Sequence, residues 1–196
     1  MILPVTIGAV VGHLYDRCAD RTRDAEFARR LGVLVATGGH LHPGGLWTDL
    51  WLERGGVYVI ANTRGGGEFG PRWHEAALQE NRQKAHEDFQ AVALDLIARD
   101  ITSQPKLGIM GGSQGGLFMG AMLTQRPDLI NAAVIQVPLF DMLRFHKLLA
   151  GASWIGEYGN PDVPEERAWI ERYSPYQNLR ADQLPDGRIP IFAPRS

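Results

Sequence analysis

One short run limits what this chain can fold into more than any other: Gly111-Gly112-Ser113-Gln114-Gly115-Gly116, set between two apolar segments. Lys106 to Met110 predicts a strand, and the residues from Gly115 through Leu123 predict a helix that stops before Pro127. A serine inside G-x-S-x-G, placed between strand and helix, fits a turn so tight that small residues must flank it. Such a turn lifts the hydroxyl above the edge of the sheet. The backbone N–H of Gln114 then points to where an oxyanion would form, and the helix N-terminus adds favourable partial charge. On this reading Ser113 is a nucleophile. The competing reading is a glycine-rich turn that only lets a strand and a helix pack closely.

The rest of the chain supplies more units of the same kind. Val57 to Thr63 is β-rich and bounded by Gly55-Gly56 and Gly65-Gly66-Gly67, so it predicts a strand between breakers. A helix is expected over about Asn81–Arg99, because Phe89, Val92, Ala93, Leu96 and Ile97 make one apolar stripe. Asn131 to Val137 predicts a strand whose continuous apolar run suits a sheet covered on both faces. Gly32–Ala36 predicts an earlier strand and Ile189–Ala193 the start of a later one. Alternating strands and helices argue for an α/β fold with a mostly parallel sheet and helices on both faces. The expected arrangement is a single domain over residues 1–196, with an atypical mixed-charge leader over 1–30.

Composition narrows the function classes. A hydrophobic share of 44% and a charged share of 21% are ordinary for a globular protein, and a net charge of −2 offers no electrostatic attraction to nucleic acid or an anionic membrane. The apolar stretch from Leu107 to Leu123 is broken by glycines, Ser113 and Gln114, which is wrong for a membrane span. Ile2 to Gly12 lacks a preceding Lys or Arg and a following small-x-small site, which argues against secretion. Cys18 is the single cysteine, so no internal disulfide can form, in keeping with a cytoplasmic location. No His, Cys or Asp cluster has metal-ligand spacing, and no cofactor is expected.

Several longer segments carry a resemblance. Trp51 to Gly70 (Trp-Leu-Glu-Arg-Gly-Gly-Val-Tyr-Val-Ile-Ala-Asn-Thr-Arg-Gly-Gly-Gly-Glu-Phe-Gly), Gly111 to Gly116, Gln136 to His146, Ser153 to Gly159 and Ser174 to Leu179 follow one another as in the peptidase domain of prolyl oligopeptidases. The chain resembles that family over roughly two thirds of its length. The resemblance implies an α/β-hydrolase fold and a peptidase that cleaves after proline in short peptides through an acyl-enzyme on Ser113. It matches Gln114 to an oxyanion donor and Trp154 to the tryptophan on which the substrate proline stacks. Tyr158 lies on the same stretch, as a second residue of that pocket. A flat aromatic wall suits the donor-less pyrrolidine ring; the alternative for Trp154 is a plain core tryptophan. Arg64 and Glu68, beside the Gly65–Gly67 loop, are expected to form a structural ion pair, the alternative being a part of the substrate mouth.

Departures from the family pattern set further expectations. Thr37, in Ala36-Thr37-Gly38-Gly39-His40, stands where the family has a tyrosine that donates a second oxyanion hydrogen bond. The family's acid and base follow the strand that begins here near Pro190, so the sheet and triad are expected to be incomplete at the C-terminus. His146 is the only histidine after Ser113 and is not at the family's base position; His40, His42, His74 and His86 precede the serine and are expected to be solvated or structural. The family's substrate-filtering propeller has no counterpart in these residues. The 196 residues by themselves are therefore expected to be inert as a peptidase, at most holding peptides. A related esterase is the enzymatic alternative.

Overall fold

The computed structural model describes residues 33–37, 51–53, 55–180 and 191–192. Five strands form one sheet: β1 (Val33–Thr37), β2 (Val57–Ala61), β3 (Leu107–Gly112), β4 (Ala132–Gln136) and β5 (Ile191–Phe192), in the order β2-β1-β3-β4-β5. Every neighbouring pair is parallel. The helices are α1 (Pro71–Glu75), α2 (Gln83–Ala98), α3 (Gln114–Gln125), α4 (Ile155–Tyr158), α5 (Pro164–Tyr173) and α6 (Pro175–Asn178), with short 3₁₀ turns and a helical stretch at 51–53 besides. This is the α/β arrangement that the alternating pattern predicts. The strand at Val57 stops two residues short of expectation. There the Arg64 N–H turns to the Asp88 carboxylate at 2.9 Å instead of continuing a ladder.

The alternation within the strands decides which face is core. Val59 and Ala61 of β2, Leu107 and Ile109 of β3, and Ala133 and Ile135 of β4 are buried, together with Val35 of β1. They pack against Phe89, Val92, Ala93 and Leu96 of α2 and Phe118, Met119, Met122 and Leu123 of α3. Complete burial of a side chain such as Phe89 stabilises by about 1.5–3 kcal/mol. The opposite-facing Tyr58, Ile60, Ala132 and Val134 are only half-buried. α3 is buried from Gly115 through Thr124, so an all-round apolar helix occupies the centre of that layer.

This topology fixes where a ligand can sit. From β1 the chain moves to β2 on one side and then crosses to β3 on the other, so the direction of winding reverses beside β1. In open parallel sheets the crevice outside the carboxyl ends of the strands at such a switch is the binding site. Ser113 is the first residue past the carboxyl end of β3.

Candidate active site

Ser113 has φ 54° and ψ −114°, a conformation that L-residues rarely adopt. Backbone outliers of this kind cost about 1–3 kcal/mol and persist where the surroundings enforce them. Here the Ser113 N–H donates to the Gln136 carbonyl at 2.9 Å, and the Leu117 N–H donates to the Ser113 carbonyl at 3.2 Å. Both ends of the residue are thereby pinned, one to β4 and one to the first turn of α3. A Cβ on Gly111 would overlap the backbone carbonyl of Gly115, and one on Gly116 would come within 2.8 Å of the Pro138 Cα. Gly112 is different, since its added Cβ meets nothing closer than 3.5 Å. The pattern needs glycine at 111 and 116 for close approach, not at every position.

Gln114 is the first residue of α3, so its N–H has no partner within the helix. Its side chain is held instead: Nε2 donates to Glu157 Oε1 at 3.0 Å. Trp154 ends a 3₁₀ turn over Gly151–Trp154 and is half-buried. It packs on an apolar cluster that contains Leu117, one helical turn beyond Ser113. Tyr158 is buried in that same cluster, with its ring edge-on to Phe145 at 5.4 Å. Burial pushes its hydroxyl pKa up to about 12, which keeps it a neutral phenol. Thr37 closes β1, but its side chain and residues 38–40 lie outside the described residues, as do 1–32 and His42.

One expected arrangement takes another form. Arg64 pairs with Asp88 of α2, not with Glu68: Nε and Nη2 reach the two carboxylate oxygens at 2.8 and 2.6 Å. A planar guanidinium prefers this two-point fit, and Asp88 also accepts from the Arg64 backbone. His146 lies against Asp162 at 3.1 Å, beside Lys147 at 2.8 Å from the same carboxylate. His74 Nδ1 is 2.7 Å from the Gly65 carbonyl, and His86 is buried, so both are structural.

Sequence reasoning missed one group entirely. Arg82, just before α2, is fully buried and donates from Nη1 to Glu157 Oε1 at 2.9 Å. Its guanidinium lies over the rings of Tyr158, at 4.8 Å, and Phe118, at 5.9 Å. His86, one turn along, sits edge-on to Phe118 and Tyr173 at 4.8 and 5.3 Å. Burial, with a smaller push from Arg82, lowers its pKa to about 3, so its ring is neutral. The only signal in the sequence was an Arg and a His four apart on the apolar side of a predicted helix.

Among the described residues no group of three or more His, Cys, Asp or Glu could hold a metal ion, and no helix is long and apolar enough to cross a membrane. A profile of the prolyl oligopeptidase family matches residues 46–187. An uncharacterised peptidase of Sinorhizobium fredii is 63% identical over 132 residues, and a prolyl endopeptidase of Dictyostelium discoideum is 46% identical over 127. These cover 67% and 65% of this chain but 18% and 17% of the relatives, so the chain spans under a fifth of their length. Among solved structures, a post-proline cleaving enzyme from Rickettsia typhi matches with TM-score 0.73 and 41% identity, over 79% of this chain and 23% of that one. Prolyl oligopeptidase B from Galerina marginata matches with TM-score 0.74 and 30% identity, over 83% and 24%. With the strained serine turn, the parallel sheet and the matched residues all pointing the same way, the chain belongs to the prolyl oligopeptidase family of serine peptidases.

Proposed function

We propose that this chain carries the nucleophile-bearing part of a peptidase that cleaves after proline in short peptides. The observation that supports this most is the backbone of Ser113, strained and pinned at the carboxyl end of β3. In the proposed reaction the Ser113 hydroxyl attacks the peptide carbonyl and forms an acyl-enzyme, while the Gln114 N–H receives the developing oxyanion. Trp154 is the wall against which the proline ring stacks, with Tyr158 supporting it from the cluster beneath. Relatives whose names include prolyl endopeptidase and post-proline cleaving enzyme favour this specificity over that of a simple esterase.

Serine needs a base to take its proton at neutral pH. Among the described residues His74, His86 and His146 are engaged or buried elsewhere, and none is bonded to Ser113. The described residues supply no such base, and on their own they are expected to hold peptides without turning them over. Losing the base of a serine triad lowers kcat by about 10⁶. The test compares the chain alone with the chain continued, after Pro190, by a family segment carrying the acid and the histidine. A chromogenic Gly-Pro substrate and a fluorophosphonate probe should report on the continued chain only, and Ser113→Ala should silence both. Turnover of simple esters without turnover of proline peptides would overturn the specificity; Ser113-dependent turnover by the chain alone would show that a base outside the described residues serves Ser113.

A further inference from the structure

Three segments meet at one oxygen. Glu157 Oε1 accepts from Arg82 Nη1 at 2.9 Å and from Gln114 Nε2 at 3.0 Å. Gln114 follows the strained serine. Glu157 lies between Trp154 and Tyr158, three residues after one and immediately before the other. Arg82 stands behind both, outside solvent altogether. Hydrogen bonding alone does not account for an arginine here. Its Nε and Nη2 have no hydrogen-bond partner among the described residues, and its second bond, to the Ala77 carbonyl, is long at 3.4 Å. A buried charge satisfied this poorly is more costly than an apolar side chain of similar volume. Local rules are broken in this way mainly where a site needs it.

We propose that Arg82 is a positioning residue: through Glu157 it fixes the Gln114 side chain, and so sets the Ser113 turn against the Trp154–Tyr158 segment. The proposal rests on the reading of those residues as nucleophile turn and proline wall. Its physical content is the orientation of the Ser113–Gln114 peptide plane. That plane aims the Gln114 N–H at the substrate carbonyl. Anchoring the Gln114 side chain to a carboxylate, itself locked by a buried guanidinium, removes rotation about that plane. An arginine suits the role because its guanidinium also lies over the Tyr158 ring, 4.8 Å from the centroid, which a lysine cannot reproduce in the same geometry.

The test needs no turnover. Binding of an N-blocked Gly-Pro amide to the 196-residue chain is measured by calorimetry, and Trp154→Ala serves as the control for the proline wall. Arg82→Met should weaken binding by about tenfold and Arg82→Lys by less, whereas in a Gln114→Ala background Arg82→Met should change it by less than about twofold. Equal losses from Arg82→Met in both backgrounds would overturn the proposal. In parallel, NMR should find the Gln114 side-chain amide protected from exchange in the parent chain and unprotected in Arg82→Met. Free exchange in the parent is an equally decisive refutation. If the parent binds no peptide, or Trp154→Ala has no effect, the reading of the proline wall fails, and the amide protection still decides the role of Arg82. Should Arg82→Met not fold, Gln114→Ala probes the same tether from its other end, and a loss below about twofold there refutes it.

Discussion

The serine turn and the Arg82 cluster lie side by side and are built by opposite means. The turn is made of backbone. Its shape follows from glycines within six consecutive residues and from two main-chain hydrogen bonds, and it buries no charge. The cluster is made of side chains drawn from α2, α3, α4 and α5, with Arg82 and Glu157 separated by 75 residues. Five of its polar atoms, on Arg82, His86 and Tyr173, have no hydrogen-bond partner among the described residues. Steric enforcement of the first kind is all-or-none and insensitive to solution conditions. Electrostatic enforcement of the second kind is graded, and it responds to pH and to which partner is removed.

The largest difference should appear between two glycines of the same turn. Gly111→Ala drives a Cβ into the Gly115 carbonyl, and neither backbone can move without opening the turn. A loss of about 4–5 kcal/mol is expected, close to the whole stability of a marginal domain. Gly112→Ala finds 3.5 Å of clearance and should cost under about 1 kcal/mol. Urea unfolding of the two variants checks this, and similar midpoints would refute the steric account.

Within the cluster the expected effects are smaller and asymmetric. Glu157→Leu leaves a fully buried guanidinium without its counter-ion, at a cost of about 3–4 kcal/mol. Arg82→Met removes a poorly satisfied buried charge and leaves a carboxylate whose side chain is 27% exposed and can hydrate, so a change of less than about 1 kcal/mol is expected. Equal destabilisation by both would mean that the pair is not the buried, unequally solvated one described.

The same contrast explains what could be read from the sequence. The Ser113 turn was legible because its requirements are local: Gly111 and Gly116 must be small for reasons set within a few residues. The strands and α2 were legible for the same reason, through period and breakers. Arg64–Asp88 and Arg82–Glu157 were not, because a charge on a helix carries no mark of its partner. Arg64 had a nearby carboxylate in Glu68, and proximity along the chain proved a poor guide to the pair that folds. Nor did the continuous apolar run of β4 reveal its burial. Val134 and Ile135 are equally apolar, yet Val134 is half-buried and Ile135 fully buried, under a layer assembled from distant helices.

The smallest and most specific effect concerns pH, and it separates cluster from turn. His86 has an ordinary pKa of 6.5 when the chain is unfolded and about 3 when folded, because burial, and secondarily Arg82, penalise the imidazolium. Between those values the unfolded chain binds the extra proton, so stability is full above pH 6.5 and falls as pH drops below it. The Tyr173 hydroxyl beside the ring does not offset this, because burial raises its pKa and keeps it neutral. Asp128, Asp141 and Asp162 have pKa values held below 3.8, so they remain ionised at about pH 5 and add little there. At about 1.4 kcal/mol per pH unit, moving from about pH 7.5 to about 5 should cost roughly 2 kcal/mol through His86. His86→Phe keeps an aromatic ring against Phe118 and Tyr173 and removes two nitrogens that have no partner, so at the higher pH it should be tolerated. Its stability should then change by less than about 0.5 kcal/mol over the same interval, whereas Gly112→Ala should keep the full pH dependence of the parent. Urea unfolding of the three proteins at both pH values decides the matter, because a parent profile that is flat, or a His86→Phe profile as steep as the parent's, would place the proton on another group.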